Sequence, residues 1–140
     1  LDAMVTTAED IRTLSSQATL AAEEFSKLYY ETFDKRRQAI SKIYQDKANL
    51  VWNGHILSGS EAIFKFFDGL PQSEHVVEGM DTQPIAAGTV NDEVSNSIVV
   101  TFLGKVKFKG SDFKVFTQTF ILCSQENKWK IVSDKFRFME

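Results

Sequence analysis

Residues 113–123 read FKVFTQTFILC, and the fold depends on how this stretch distributes its apolar side chains. The side chains of a β-strand point alternately to its two sides. One side here would carry Phe113, Val115, Thr117, Thr119, Ile121 and Cys123, and the other Phe116, Gln118, Phe120 and Leu122. A sheet with one side in water normally alternates between apolar and polar residues. Because both sides are apolar, the stretch predicts a strand that is covered on both sides.

Three helices are predicted ahead of this strand. The first is long, a break follows Asp34, and the third is predicted to be capped by Ser58 and to end before Gly69 and Pro71. Helical side chains spaced by three and four residues share one face. The three predicted apolar faces are Ile11, Leu14, Ala18, Ala21, Phe25 and Leu28, then Ile40, Ile43 and Tyr44, then Ile63, Phe66 and Phe67.

Strands are predicted for the rest of the chain. Asn53-Gly54 favours a type I′ hairpin turn directly after Leu50-Val51-Trp52. Four further β-runs lie near residues 75–86, 95–108, 113–125 and 129–138, and short turns join them into an antiparallel meander. Helices first and strands afterwards predict a single α+β domain over residues 1–140, a cone with three helices on one side of a curved antiparallel sheet.

The second side of this sheet has no helix left to cover it. Another sheet or another subunit would cover it, with Phe116 and Phe120 facing outward toward that partner. The alternative is a β-bulge that shifts the alternation within a strand. In both cases the chain, with 12 phenylalanines, carries more large apolar surface than most chains of this length, and something must cover it.

Composition excludes several classes of protein. One cysteine among 140 residues argues against a disulfide scaffold, and a net charge of −3 argues against direct nucleic-acid binding. No apolar run is long enough to indicate a membrane span or a signal peptide. Leu1-Asp2-Ala3 before Met4 is predicted to be a remnant of cloning. The chain is expected to be soluble and to occupy a reducing compartment.

Catalytic, metal and cofactor motifs are weak. His55 and His75 have no ligand at metal-binding spacing and are predicted to lie on the surface or at a strand edge, while Cys123 is predicted to be a buried, inert thiol. An acid–base pocket between Tyr30, Asp34, Trp52 and Asp134 is one hypothesis for the cone. The alternative is that Tyr29, Tyr30 and Phe33 fill the cone as packing. We therefore predict no catalytic residue, no metal and no cofactor.

Two charges lie among apolar strand residues. Asp81 occurs in Asp81-Thr82-Gln83-Pro84, and Arg137 in Phe136-Arg137-Phe138. Charged side chains in apolar surroundings often extend so that the charged group reaches water. The alternative is that each meets an opposite charge across an interface, which would select the partner more than it would raise affinity.

The order of several short motifs resembles the nuclear transport factor 2 family, and within it the small export proteins that pair with the large messenger RNA export receptor. The resemblance spans roughly residues 18–140. The motifs are Tyr29-Tyr30, Phe33-Asp34, Arg37, Leu50-Val51-Trp52-Asn53-Gly54, Asp81-Thr82-Gln83-Pro84, Phe116-Thr117-Gln118-Thr119-Phe120 and Ser133-Asp134-Lys135-Phe136-Arg137-Phe138.

This resemblance implies a non-enzymatic adaptor of messenger RNA export. Its partner would be the homologous domain of the export receptor, with phenylalanine-glycine nucleoporins bound indirectly, and a homodimer stays open when the receptor is absent. The implied location is the nucleus and nuclear envelope, with shuttling to the cytoplasm. The implied interface residues are Asp81, Gln83, Phe116, Gln118, Phe120, Lys135 and Arg137. Lys135 stands where the export proteins often have cysteine, which indicates a receptor with a matching acid.

Two rival functions exist within the same fold. The first is a homodimeric import factor that binds Ran-GDP, but those members carry acidic residues where this chain has Asn53 and, in the loop 109–112, Lys109-Gly110-Ser111-Asp112. The second is a dehydratase or isomerase that uses the cone as its pocket, and no catalytic motif of those enzymes maps onto this chain.

Overall fold

The computed structural model describes residues 8–90 and 93–139, and their side chains except at 9–11, 86–90 and 93–96. The described residues form two α-helices, one 3₁₀-helix and a six-stranded sheet. In chain order these are α1 (Ala8–Lys35), the 3₁₀-helix (Arg37–Ile43), β1 (Tyr44–Trp52), β2 (His55–Ser58), α2 (Ser60–Asp68), β3 (Ser73–Val90), β4 (Glu93–Phe108), β5 (Lys114–Gln125) and β6 (Lys128–Phe138). The predicted cloning remnant, 1–3, lies outside the described residues. Within them, none of the helices is long and apolar enough to span a membrane.

The strands lie in the order β2-β1-β6-β5-β4-β3. Strands β3 to β6 form the predicted antiparallel meander. Strand β1 pairs with β6 in parallel, with Leu50 opposite Asp134, so the sheet is mixed and the prediction of a wholly antiparallel sheet is wrong at this pairing. Strand patterns indicate where strands are but not which distant strands become neighbours, and this pairing joins residues far apart in the chain.

Helix α1 packs on the inner side of the sheet. Five of its buried residues follow one another by four, three, four and four positions at Ala18, Ala22, Phe25, Tyr29 and Phe33, and Tyr30 and Thr32 are buried as well. The buried stripe of α1 is therefore rotated slightly about the helix axis relative to the predicted stripe. As a result, Leu14 and Leu28, which were expected to be buried, are about half exposed.

The other two helices differ from the prediction in detail. The second is a 3₁₀-helix, although Ile40 and Ile43 are buried as expected. The third begins at Ser60 after Gly59, whose φ of 90° belongs to the left-handed region that favours glycine. Ser58 does not cap it, because Ser58 lies in β2 and its hydroxyl donates to Asn49 Oδ1 at 3.0 Å.

The Asn53-Gly54 turn is confirmed. Both residues have positive φ, 48° and 86°, as a type I′ turn requires between β1 and β2. The turn also holds the end of β6: the Asn53 amide donates to the Phe136 carbonyl at 2.8 Å, and the Phe138 amide donates to Asn53 Oδ1 at 2.9 Å. The position of the residue between them, Arg137, is therefore set by a short turn elsewhere in the sequence.

Candidate functional site

The sheet has an outer face that points away from the helices. Register pairs Asp81 with Thr101, Thr101 with Thr119, and Thr119 with Lys135, so one row of side chains crosses four strands on this side. The alternate residues of β4 and β5 are buried on the inner side. We define the outer face as Asp81, Gln83, Val99, Thr101, Leu103, Lys105, Val115, Thr117, Thr119, Ile121, Lys135 and Arg137.

The centre of the outer face is apolar or weakly polar. Leu103 and Val115 are about half exposed, and the hydroxyls of Thr101 and Thr119 share a hydrogen bond of 3.0 Å. Large apolar side chains that remain in water at the middle of a sheet are typical of a protein-binding surface. The β-branched residues found here suit packing against a second sheet, because their side chains are short and stiff.

Charged residues lie on both sides of this centre. Asp81 is on β3 at one end of the row, and Lys135 and Arg137 are on β6 at the other. Arg137 extends along the Asn53-Gly54 turn, since a side-chain carbon at Gly54 would lie 3.9 Å from its Nη2. The outer face can therefore select a partner by charge at two separate places.

Four of the seven predicted interface residues lie on this face. Asp81, Gln83, Lys135 and Arg137 are exposed. The other three are not: Phe116 and Phe120 are 0% exposed and Gln118 is 1% exposed, all on the inner side. The prediction that Phe116 and Phe120 face outward is wrong. Alternation separates the two sets correctly, but the ring-sized residues belong to the side where α1 packs.

The inner side is filled by aromatic rings. Phe120 contacts Phe25 and Tyr29 of α1 edge-on, with ring centroids 5.1 and 4.9 Å apart. Trp52 stacks on Phe136 at 3.9 Å, and Phe136 stacks on Phe116 at 5.1 Å. Such contacts leave the interior closed, in agreement with the hypothesis that aromatic residues fill the cone.

A polar network lies inside this aromatic core. The hydroxyl of Tyr44 donates to Asp134 Oδ2 at 2.6 Å, and Gln118 Nε2 donates to Asp134 Oδ1 at 2.9 Å. Tyr30 donates to Gln118 Oε1 at 2.8 Å, and the hydroxyls of Tyr29 and Tyr44 share a hydrogen bond of 2.7 Å. Among the described residues no buried side-chain nitrogen or oxygen lacks a partner. The network therefore adds polar groups to an aromatic core, and among the described residues each of these groups is already hydrogen-bonded within the protein.

Burial perturbs the ionisation of the network. Removal from water raises the pKa of Asp134 to about 7, although hydrogen bonds from Tyr44 and Gln118 oppose the shift. Burial, with the nearby Asp134 carboxyl contributing to each shift, also raises the pKa values of Tyr29, Tyr30 and Tyr44. A raised carboxyl pKa is found in general acids as well as in structural groups. Here both carboxyl oxygens already accept hydrogen bonds from protein groups, and Asp134 is 1% exposed.

The four residues of the acid–base hypothesis do not line one open pocket. Tyr30 and Asp134 are joined only through Gln118, and Trp52 belongs to the ring stack. Asp34 takes part in a separate cluster, described next. Within the described residues no group of three or more histidine, cysteine, aspartate or glutamate side chains is placed to hold a metal ion.

Asp34 joins α1 to the start of β3. Its Oδ1 accepts from the Ser73 hydroxyl at 2.6 Å and lies 2.7 Å from His75 Nδ1, and its Oδ2 accepts from the His75 amide at 2.8 Å. Burial raises the pKa of Asp34, but the hydrogen bonds and charge of His75 outweigh this and lower it overall. Arg37 continues the cluster by donating to Ser73 Oγ at 2.8 Å and to the Leu70 carbonyl at 2.7 Å.

The positions of the two histidines and of the cysteine differ in part from the prediction. The His75 side chain is 2% exposed and lies against Tyr30, so the predicted surface position is wrong, although β3, which carries it, is an edge strand of the sheet. His55 is exposed as predicted. Cys123 is half-buried and pairs with Lys130 between β5 and β6, rather than fully buried. Thr117 and Thr119 were not predicted to be outer-face residues, although the alternation of side chains around them was the available signal.

Comparison with known proteins identifies the family. The model of the nuclear transport factor 2 (NTF2) domain matches residues 21–138. The chain belongs to the nuclear transport factor 2 family. This match covers both α-helices from Ala21 onward and every strand up to Phe138, so the outer face, the filled cone and the Asn53-Gly54 turn all lie within the NTF2 domain.

Relatives within the NTF2 family are similar over almost the whole chain. The chain is 44% identical over 138 residues to the human NTF2-related export protein 2, covering 96% of each. Two solved structures share the NTF2 fold at lower identity. Nuclear transport factor 2 of Cryptosporidium parvum has a TM-score of 0.76 at 24% identity, covering 88% of this chain and 95% of that one. A chain of the C. albicans Mtr2-Mex67 M domain complex has a TM-score of 0.72 at 14% identity, covering 88% and 96%.

Proposed function

We propose that the chain is a non-enzymatic adaptor that pairs, through its outer face, with the homologous NTF2-like domain of the messenger RNA export receptor. The observation that carries this proposal is that the two sides of the sheet are not covered equally. Helices cover the inner side, whereas apolar residues of the outer face such as Leu103 and Val115 remain exposed to water. A second sheet packed on this face would remove them from water, which is the main driving force of association.

Two similarities support the choice of partner. The human relative is named an NTF2-related export protein, and the C. albicans neighbour with the same fold is a chain of the Mtr2-Mex67 M domain complex. The charges of the outer face add chemical detail. The partner would place a basic group opposite Asp81 and acidic groups opposite Lys135 and Arg137, because an unmatched charge in a covered interface is unfavourable.

The finer parts of the proposed function follow from this pairing. The heterodimer would support binding to phenylalanine-glycine nucleoporins and nuclear export of messenger RNA, with the chain in the nucleus and nuclear envelope and shuttling to the cytoplasm. An adaptor is favoured over an enzyme because Asp134, the carboxyl with the pKa best suited to proton transfer, is enclosed by Tyr44 and Gln118. We therefore assign the network to the stability of the scaffold.

The test is co-expression with the receptor's NTF2-like domain, followed by affinity capture and a mass measurement of the captured complex. Arg137→Glu should weaken receptor binding by at least tenfold, because reversing a covered charge costs roughly 2–5 kcal/mol. Lys27→Glu is the matched control, since Lys27 is an exposed base on α1 and lies outside the outer face. Equal capture of the Arg137→Glu and Lys27→Glu variants would show that the outer face is not the interface.

Light scattering of the chain alone completes this test. A mass of about two chains that falls to one chain with Arg137→Glu would mean that the outer face pairs with a second copy when the receptor is absent. A mass of one chain would mean that the outer face is available to the receptor without competition.

A further inference from the structure

Asn53 joins the β1–β2 turn to the last strand of the sheet. In the parallel pairing of β1 with β6, Trp52 lies opposite Phe136, and the next residue, Asn53, donates its amide to the Phe136 carbonyl at 2.8 Å. A residue in a parallel ladder bonds on both sides of one residue of its neighbour, through its amide and its carbonyl. Asn53 bonds in this way on both sides of Arg137, but the second bond comes from its side chain, whose Oδ1 accepts from the Phe138 amide at 2.9 Å.

The side chain takes the place of the backbone carbonyl because the chain turns at this point. The positive φ values of 48° at Asn53 and 86° at Gly54 lead the backbone away from β6 and into β2. Asparagine adopts a positive φ more readily than most residues, and its short side chain carries a carbonyl oxygen. Asn53 therefore supplies both a backbone that can turn and an acceptor for the Phe138 amide.

Arg137 lies between these two hydrogen bonds. It is paired with Thr117 of β5 on one side and flanked by the Asn53 bonds on the other, so both neighbours fix the point at which its side chain leaves the sheet. The side chain is exposed on the outer face, and its Nη2 lies 3.9 Å from the position that a side-chain carbon at Gly54 would take. The guanidinium therefore lies beside the turn that Asn53 begins.

Position 53 carries no charge beside this guanidinium. The one ion pair among the described side chains joins Asp34 to His75, so Arg137 has no acidic partner within them. Asn53→Asp would allow the same turn and the same hydrogen bonds to β6, because aspartate also tolerates a positive φ and its carboxylate also accepts. The added negative charge, however, would compete with an acidic group of a partner for Arg137.

We propose that Asn53 is a positioning residue for partner binding: its hydrogen bonds hold Arg137 at the outer face, and its lack of charge leaves the guanidinium to an acidic group of the partner. This inference rests on the proposed function, since the partner is the receptor's NTF2-like domain. It adds a residue that does not belong to the outer face itself. The turn thus decides where the positive charge stands and keeps it from being neutralised within the chain.

A double-mutant cycle with Arg137 tests the positioning role. Each variant is co-expressed with the receptor's NTF2-like domain and with a wild-type chain that carries a different tag, and the amount of domain captured through each tag gives the relative Kd. Asn53→Ala should weaken binding at least fivefold in the wild-type background but less than twofold in the Arg137→Ala background, because Asn53 acts through Arg137. A purely structural role would give the same factor in both backgrounds and overturn the proposal.

Asn127→Ala is the matched control. Asn127 also has a positive φ, 64°, and it lies in the β5–β6 turn, at the end of β6 opposite to Arg137. Asn127→Ala and Asn53→Ala should both lower Tm, but Asn127→Ala should leave receptor binding within twofold. If the two alanine variants weakened binding equally, lost stability would be the cause and Asn53 would not position Arg137.

Asn53→Asp tests the role of charge. This variant should keep the Phe138 amide protected from hydrogen exchange, whereas Asn53→Ala should make that amide exchange at least tenfold faster. Asn53→Asp should nevertheless weaken receptor binding at least tenfold at low salt, and the loss should shrink to less than threefold in about 0.5 M NaCl, because salt screens the added charge. Binding equal to that of the wild type at low salt would overturn the role of charge.

Failure of this inference can be told apart from failure of the proposed function. Loss of binding by Arg137→Glu, with binding kept by Lys27→Glu and by both Asn53 variants, would leave the proposed function standing and remove Asn53 from it. Equal binding by Arg137→Glu and Lys27→Glu would show that the outer face is not the interface, and both proposals would fall.

Discussion

The two sides of strand β5 carry opposite kinds of residue in the same stretch of chain. On the inner side, Phe116 and Phe120 are fully buried with Gln118 between them; on the outer side, Thr117 and Thr119 are only half-buried and Val115 is 46% exposed. The inner side contains rings that reach the helices. The outer side contains short, stiff side chains that no described helix covers.

This difference separates stability from partner binding. Inner residues bury their full apolar area within the chain, so their free-energy contribution belongs to folding. Outer residues gain little from folding and can gain from association, because most of their remaining exposure is lost only when a second surface covers them. Substitutions on the two sides of one strand should therefore affect different measurements.

The largest effect is expected at Phe120. Phe120→Ala removes a ring that contacts Phe25, Tyr29 and Phe102, and it should lower the free energy of unfolding by about 3–5 kcal/mol. Urea unfolding followed by circular dichroism measures this loss. A loss below 1 kcal/mol would mean that the inner side is loosely packed and that the two sides differ less than the structure indicates.

A second effect, which depends on pH, is expected at Asp134. Its pKa of about 7 lies above its ordinary value of 3.8, so the folded chain binds this proton more tightly than the unfolded chain. The resulting stability is present below about pH 4 and is lost as pH rises toward 7, at a slope of at most about 1.4 kcal/mol per pH unit. Asp134→Asn should remove this decline.

Unfolding curves of wild type and Asp134→Asn between pH 4 and pH 8 give the comparison. The variant should gain stability relative to the wild type as pH rises, because its amide cannot lose a proton. Parallel pH profiles for the two proteins would show that Asp134 is ionised throughout and that the inner network behaves like a surface carboxylate.

The smallest effect on folding is expected on the outer side of the same strand. Thr119→Val keeps the shape of the side chain and removes its hydrogen bond with Thr101, and the free energy of unfolding should change by less than about 0.5 kcal/mol. The same urea experiment measures it. A change above 1 kcal/mol would mean that the outer face stabilises the isolated chain as strongly as the inner side.

Most secondary structure could be predicted from local patterns. The long first helix, the Asn53-Gly54 turn and the four long strands follow from spacing and turn residues, and the structure confirms them. The second helix was placed correctly but its 3₁₀ form was not predicted. The cap at Ser58 was wrong because the backbone at Gly59, rather than a side chain, begins α2.

The candidate interface could be predicted only in part. The charges at Asp81, Lys135 and Arg137 stand out within apolar strands, and the structure places all three on the outer face. Phe116, Gln118 and Phe120 were assigned to the wrong side. Size would have been the better guide, since the rings of Phe25, Tyr29 and Phe33 on α1 need partners that reach across the gap between helix and sheet.

The two apolar sides of β5 and the turns that join the strands into a meander could be predicted from the amino-acid sequence, because they depend on neighbouring residues and appear in the periodicity of the sequence. The resemblance to the nuclear transport factor 2 family came from the order of short motifs. The side of the sheet that faces the helices, the parallel pairing of β1 with β6 and the inward position of His75 became known from the tertiary structure. Each of these depends on residues brought together from distant parts of the chain, and alternation along a strand is the same whichever side is covered.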